Sequence, residues 1–302
     1  MGAPTHDFPT PTRAYPQRVR RRRVGVSAGA LAAMLVVALL QPGSPPRAAN
    51  ALEPHGKTRA SLEAAPSSWP PPDVTIPPVQ NGLVPVLTRI PTKQPVVFLG
   101  IDDGMYKAPF ELQMMQENHV KATLFLADLF IHNNPGFFTD FVTAGDVVED
   151  HTLTHRNMRK LGYAEQVKEI CGEADLQEKE FGRRPILFRP PGGAYNTDTR
   201  RAAAACGMRA LVNWIAKAND HSMQFQIGHG LRPGDIVLMH FRPEFHDDMQ
   251  AFLDAANAAG LHTELLEDWL GASTAPSSSK AVTGAEAKAS AKVLPPTRPH
   301  AY

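Results

Sequence analysis

Cysteine is almost missing from this 302-residue chain. Neither of the two present, Cys171 and Cys206, stands beside a candidate catalytic string, so no nucleophilic or metal-binding task falls to a thiol. A dominant charge is missing too: 31 Lys and Arg against 30 Asp and Glu leave +1, too weak a field to gather nucleic acid. No Gly-rich dinucleotide or phosphate fingerprint stands at a strand-to-helix turn, which counts against a nucleotide-binding open sheet. No internal repeat is apparent, which counts against a solenoid.

Long uncharged apolar runs are absent with one exception, Val24 to Leu40, which follows the basic residues Arg18 and Arg20 to Arg23. Arginines ahead of such a run hold the N-terminus inside and send the rest outward. Residues 1–23 therefore read as a cytoplasmic basic region and 24–40 as a signal peptide or signal anchor. The run is at the short limit for crossing a bilayer. Ala49-Asn50-Ala51 offers a cleavage site, and an uncut chain would keep the membrane as a partner. Export, to the medium or to a membrane-anchored position facing the wall, is the expectation. Residues 41–82 follow as a Pro-rich extracellular linker, with ten prolines between 41 and 80. Residues 271–302, rich in Ala, Ser, Lys and Pro, read as a disordered tail.

What is present lies between, in residues 83–270. Strand-like and helix-like stretches alternate there: Val96–Ile101, Pro109 to His119, Ala122–Leu126, Pro135–Ala144, Val147–Glu149, Tyr163–Phe181, Leu187–Arg189, Thr197–Cys206, Met208–Val212, Asp235–Met239 and Glu244–Ala259. In Tyr163–Phe181, Val167, Ile170, Cys171, Ala174 and Phe181 share one apolar stripe. Such alternation predicts an α/β fold, a distorted or incomplete (β/α) barrel, with an open doubly wound sheet as the rival.

Four short strings sit where strands end. Gly100-Ile101-Asp102-Asp103-Gly104 brings two carboxylates together if the chain turns there; one can ligate a metal and the other serve as base. His151-Thr152-Leu153-Thr154-His155 holds the sequence's one His pair at i, i+4 and adds two imidazoles. Two His and one Asp leave open coordination positions, and zinc is the default for such a hydrolytic set. Arg189 before Pro190-Pro191-Gly192-Gly193 can orient a carboxylate, while the Gly192 N–H can face an oxyanion. His240 ends Ile236-Val237-Leu238-Met239 and can protonate a leaving group, with Asp220 as the candidate to hold its tautomer. Glu244, His246, Asp247 and Asp248 read as a solvated first helical turn.

In this order the strings resemble the polysaccharide deacetylase family, the NodB-homology domain of carbohydrate esterase family 4, over roughly Val96 to Leu270. The resemblance implies Asp102 as catalytic base and Asp103, His151 and His155 as ligands of one divalent metal, most simply Zn2+. It implies Arg189 as the residue steering the base, with Pro191 and Gly193 in the same string. Trp214 is similar to the family's groove tryptophan, Asp220 to the aspartate that tunes the acid, and Leu238 and His240 to its pocket leucine and general acid. Three positions depart: Gly192 stands where the family has Tyr or Phe, and Lys217 and His221 replace an Asp and a Trp near Asp220.

The function so implied is hydrolysis of N- or O-linked acetyl groups on a cell-envelope or extracellular polysaccharide. The alternative is a catalytically inactive wall-binding module using the groove at Trp214. For the cysteines, an exported chain meets oxidising surroundings, and Cys171 and Cys206 on neighbouring helices are expected to pair. The bridge would close a loop of about 35 residues, worth ~3 kcal/mol.

Overall fold

Strand Val96–Asp103, VVFLGIDD, is buried at every position, as a strand covered on both faces must be. It lies at the centre of a computed structural model that describes residues 61–62, 72–73 and 77–270. The basic region, the apolar run Val24–Leu40, most of the Pro-rich stretch and the tail 271–302 lie outside the described residues. Among the described residues no helix is long and apolar enough to cross a membrane.

In chain order the elements are β1 (Val86–Leu87), β2 (Val96–Asp103), α1 (Pro109–Glu117), β3 (Ala122–Leu126), α2 (Asp128–Ile131), α3 (Gly136–Ala144) and β4 (Val147–Asp150). Then come α4 (Tyr163–Phe181), β5 (Leu187–Phe188), α5 (Thr197–Ala205), β6 (Ala210–Val212), β7 (Ala216–Asn219) and β8 (Ser222–Phe225). The last are β9 (Ile236–His240), α6 (Phe245–Ala258), β10 (His262–Thr263) and α7 (Leu266–Trp269). The strands run β1-β6-β5-β4-β3-β2-β9-β7-β8, with β10 pairing the start of β2. Every pairing is parallel except β7 with β8. The path ends at β1 and β8 without closing, so the sheet is a curled half-barrel with helices outside, the incomplete barrel the alternation predicted.

Period-2 alternation sorts the core into layers. Val97, Leu99, Ile101, Val237 and Met239 face outward against Phe138, Phe141, Phe245, Met249 and Phe252 of α3 and α6. Phe98, Phe125, Leu187, Val212 and Ile236 fill the concave side. Trp269 of α7 meets Phe98 edge-on, ring centroids 5.6 Å apart, and closes the end opposite the strand C-termini.

The α4 stripe differs from the sequence expectation. Ile170 and Ala174 are buried, but so are Gln166, Glu169, Glu173 and Gln177, while Val167, Cys171 and Phe181 are half-buried. The polar side chains go inside because they satisfy backbone groups at strand ends. Gln177 Nε2 donates to the carbonyls of Leu126 (2.9 Å) and Glu149 (3.3 Å), and Glu173 accepts from the Asp128 N–H at 3.1 Å. Helices α4 and α5 pack on each other and are joined by a disulfide between Cys171 and Cys206, Cα atoms 4.9 Å apart.

Candidate metal and acid–base site

Register brings the strings together. Asp102 lies beside Phe125 of β3 and His240 of β9, and Asp150, just before His151, lies beside Leu126 and Phe188. All the strings therefore meet at the C-terminal edge of the sheet, where barrels gather reactive groups. The turn that aims both carboxylates inward falls on Asp103 itself, at φ 77°, with Gly104 at φ 78°. Thr152 and His155 also hold positive φ, at 74° and 52°. Non-glycine residues in this region cost of order 1–3 kcal/mol each, and the surroundings must hold them.

They are held by hydrogen bonds. The Thr152 N–H donates to Asp150 Oδ1 (2.9 Å) and the His155 N–H to Thr152 Oγ1 (3.0 Å). Glu169 of α4 accepts from both the N–H and the hydroxyl of Thr154, at 2.9 and 2.5 Å. Lys107 Nζ donates to the Gly104 carbonyl (2.9 Å) and the Phe130 carbonyl (2.7 Å), tying the aspartate turn to α2. The sequence reading missed both. The spacing of Gln166, Glu169, Glu173 and Gln177 on one helical face was a signal for Glu169. Nothing marked Lys107.

Asp103, His151 and His155 present three ligand atoms within 4.8 Å of one another. Asp103 Oδ1 lies 3.1 Å from His155 Nε2 and 3.5 Å from His151 Nε2, and it is buried with no hydrogen-bond partner. His151 Nδ1 meets the Arg189 carbonyl at 2.7 Å, which leaves Nε2 to face the carboxylate. An orphaned buried oxygen and two imidazole nitrogens converging on one point fit a divalent cation, and the N2O donor set suits zinc. Burial would raise the Asp103 carboxyl, but the two imidazoles hold it well below the usual carboxylate range. Burial opposes protonation of His151, yet Asp102 and Asp103 outweigh it and raise its pKa.

Arg189 is wholly buried. Its Nη1 donates to Asp102 Oδ1 at 2.6 Å, its Nε to the Val212 carbonyl at 3.3 Å, and its guanidinium lies 4.0 Å from the Phe125 ring centre. The room comes from Gly100, since a Cβ there would stand 2.7 Å from the Arg189 Cζ. Burial raises the Asp102 carboxyl above its usual value although Arg189 and His151 pull it down. That is the environment of a proton acceptor rather than a fixed anion.

His240 ends β9 level with Asp102. Burial pushes its pKa down to about 3 against the pull of Asp103, helped by Arg242, His151 and Arg189. The expected role of Asp220 needs correction. Among the described residues no hydrogen bond or ion pair joins Asp220 to His240. Asp220 is exposed in the β7–β8 turn at φ 52°, beside His221 at φ 62°, and the His221 N–H is bound by Asp248 Oδ1 at 2.8 Å. The start of α6 therefore holds this turn, and the Asp220 charge is felt by Asp248. His221 Nδ1 and His246 Nδ1 each meet Asp247, at 2.9 and 2.7 Å, so the acidic helical turn is paired rather than merely solvated.

The remaining candidates surround the cleft. Pro191–Gly193 forms a tight turn, closed by the Ala194 N–H donating to the Pro191 carbonyl at 3.3 Å, with Gly192 exposed at φ 62°. A Cβ on Gly193 would stand 3.0 Å from the Trp214 ring, so Trp214 packs on that turn. Leu238 is buried on the concave face of β9.

Residues 89–211 match the family model described as polysaccharide deacetylase. The chain is 42% identical over 157 residues to an uncharacterized protein of Streptomyces coelicolor, covering 51% of this chain and 63% of that one, so the match spans under two thirds of that relative. It is 24% identical over 164 residues to a peptidoglycan-N-acetylglucosamine deacetylase of Bacillus cereus, covering 51% and 76%. Among solved structures it is similar to a family 4 carbohydrate esterase from Streptomyces lividans in complex with acetate. That match has a TM-score of 0.51 and 26% identity, covering 59% of this chain and 96% of the other.

Proposed function

We propose that this chain, whose residues 89–211 match the polysaccharide deacetylase family model, hydrolyses acetyl groups on an envelope or extracellular polysaccharide with one divalent metal, most simply zinc. The observation that carries this reading is the buried, unpartnered Asp103 Oδ1 between two imidazoles, with Arg189-bound Asp102 alongside. When bound, the metal would supply an acidified water and polarise the acetyl carbonyl. Asp102, raised by burial and fixed by Arg189, takes the proton of the attacking water. The exposed Gly192 turn offers its N–H to the oxyanion, and Trp214 walls the groove. His240 is held neutral at rest, so it receives the proton that Asp102 took from the water and passes it to the leaving amine or alkoxide, which leaves Asp102 ionised again.

The test is acetate release from acetylated glycans by the metal-loaded protein. Asp102→Asn and His240→Ala should each lower kcat by about 10²–10⁴. His151→Ala should remove the metal, read by elemental analysis. Unchanged acetate release in both acid–base variants would refute the mechanism.

A second reading, a wall-binding module without catalysis, is favoured by one observation: among the described residues no carboxylate makes a hydrogen bond or ion pair with His240. Glycan binding by the metal-replete protein with no acetate released would establish it. Export through residues 1–40 belongs to this proposal too, and is read from the mature N-terminus by mass spectrometry.

A further inference from the structure

We propose that Lys217 makes the cleft selective for acidic glycans, by binding the carboxylate of a sugar next to the one that is deacetylated. This rests on the deacetylase reading for the reaction, but the recognition site stands on its own geometry.

Alternation on β7 settles where Lys217 sits. Ala216 and Ala218 are buried in the outer layer with Val237, Met239 and the α6 side chains, so Lys217 and Asn219 belong to the concave face. Parallel register places Lys217 beside Leu238, one alternate position before His240. Across β7, its antiparallel neighbour Gln224 on edge strand β8 is exposed. Lys217 thus starts in the sheet wall two residues short of the level of the proposed acid, and it is half-buried there.

Charge decides what it receives. Asp102 and Asp103 give the cleft two negative charges and Arg189 one positive; of the other two cations, Arg242 and Lys217, Arg242 is set against Asp248. A divalent cation at the ligands would leave a net +1 before Lys217 is added. Arg189 is committed to Asp102 at 2.6 Å. Arg242 donates to Asn219 Oδ1 at 2.9 Å and is felt by Asp248. Lys217 alone of the three has no hydrogen bond, ion pair or ring contact among the described residues, though it is half-buried. A half-buried lysine whose ammonium has no internal partner, beside an already cationic cleft, favours an anionic group on the ligand.

The experiment is calorimetric binding to the full-length, metal-loaded Asp102→Asn protein, with His240→Ala as a second background should the first melt early. Three tetrasaccharides are compared: neutral chitotetraose, alternating glucuronate and N-acetylglucosamine, and peptide-free N-acetylglucosamine–N-acetylmuramate. At least one carboxylated ligand should bind about tenfold tighter than chitotetraose, and which one does so distinguishes a ring carboxylate from a lactyl ether. Lys217→Ala should remove that excess and leave chitotetraose affinity unchanged, Lys217→Arg should restore most of it, and Lys217→Asp should reverse the preference. Equal binding of all three, no binding of any, or equal losses with Lys217→Ala would overturn the inference. Acetate release by the unaltered protein is read separately. Lys217-dependent binding without release would defeat the deacetylase reading and leave this one standing.

Discussion

Gly100→Ala, a single added methyl, tests whether the proposed base depends on the packing beneath it. The new carbon would lie 2.7 Å from the Arg189 Cζ, where carbon atoms settle at about 3.5–4.0 Å. The guanidinium must move by roughly 1 Å, with Phe125 against one face and the Val212 carbonyl on its Nε. Overpacking of this kind costs about 1–3 kcal/mol. Losing a buried pair outright costs about 3–5, so a partly displaced Arg189 implies a total near 3 kcal/mol. At ~2–4 °C per kcal/mol for a domain of this size, Tm should fall by about 6–12 °C.

The chemistry should change in a separate, signed way. Arg189 lowers the Asp102 pKa, so displacing it lets burial raise that pKa further. A base must be ionised, so the acid limb of kcat/KM should move to higher pH, and activity at pH 7 should fall by about 10–100-fold. Metal content should match the parent's, because none of the proposed ligands is touched. Differential scanning fluorimetry, a pH–rate profile and elemental analysis read the three effects. A Tm within about 1 °C of the parent, together with an unshifted acid limb, would refute the reasoning.

Asp146 is buried, its carboxylate accepts from the Ala122 N–H at 3.0 Å, and burial raises its pKa to about 7. A raised carboxyl costs stability as pH climbs from the unfolded value of about 4 through the folded one, here ~3 units at about 1.4 kcal/mol each. Asp146→Asn should therefore gain up to ~4 kcal/mol relative to the parent between pH 4 and pH 8, by chemical denaturation, and a pH-independent difference would sink the claim. The Cys171–Cys206 bridge closes 35 residues, so Cys171→Ser with Cys206→Ser should cost ~3–4 kcal/mol and lower Tm by about 10 °C. Two free thiols titrated in the unreduced, denatured parent would show that no bridge forms.

Elements marked by their own residues were legible. Ala122–Leu126 and Tyr163–Phe181 are a strand and a helix at the same limits the pattern gave. The strings converge because parallel register puts strand C-termini at one edge, which follows from βα alternation. The β7–β8 hairpin was missed because its turn, Asp220-His221, carries no glycine although both residues have positive φ. Its conformation is imposed from outside, by Asp247 and Asp248 on α6, and no local pattern records that. Arg189 was legible as a partner for a carboxylate, but that it would be wholly buried depended on Gly100, 89 positions earlier.

The buried polar face of α4 sets a limit on transplanting this chemistry. Glu169 holds the loop between the two histidines, Glu173 holds the start of α2, and Gln177 holds the ends of β3 and β4. Helix α4 is thus a template whose side chains fix where the imidazoles stand, and the disulfide staples that template to α5. A graft of the four strings onto another half-barrel would carry the reactive groups without the mould that shapes them. The smallest portable unit is the strings together with this helix and its staple.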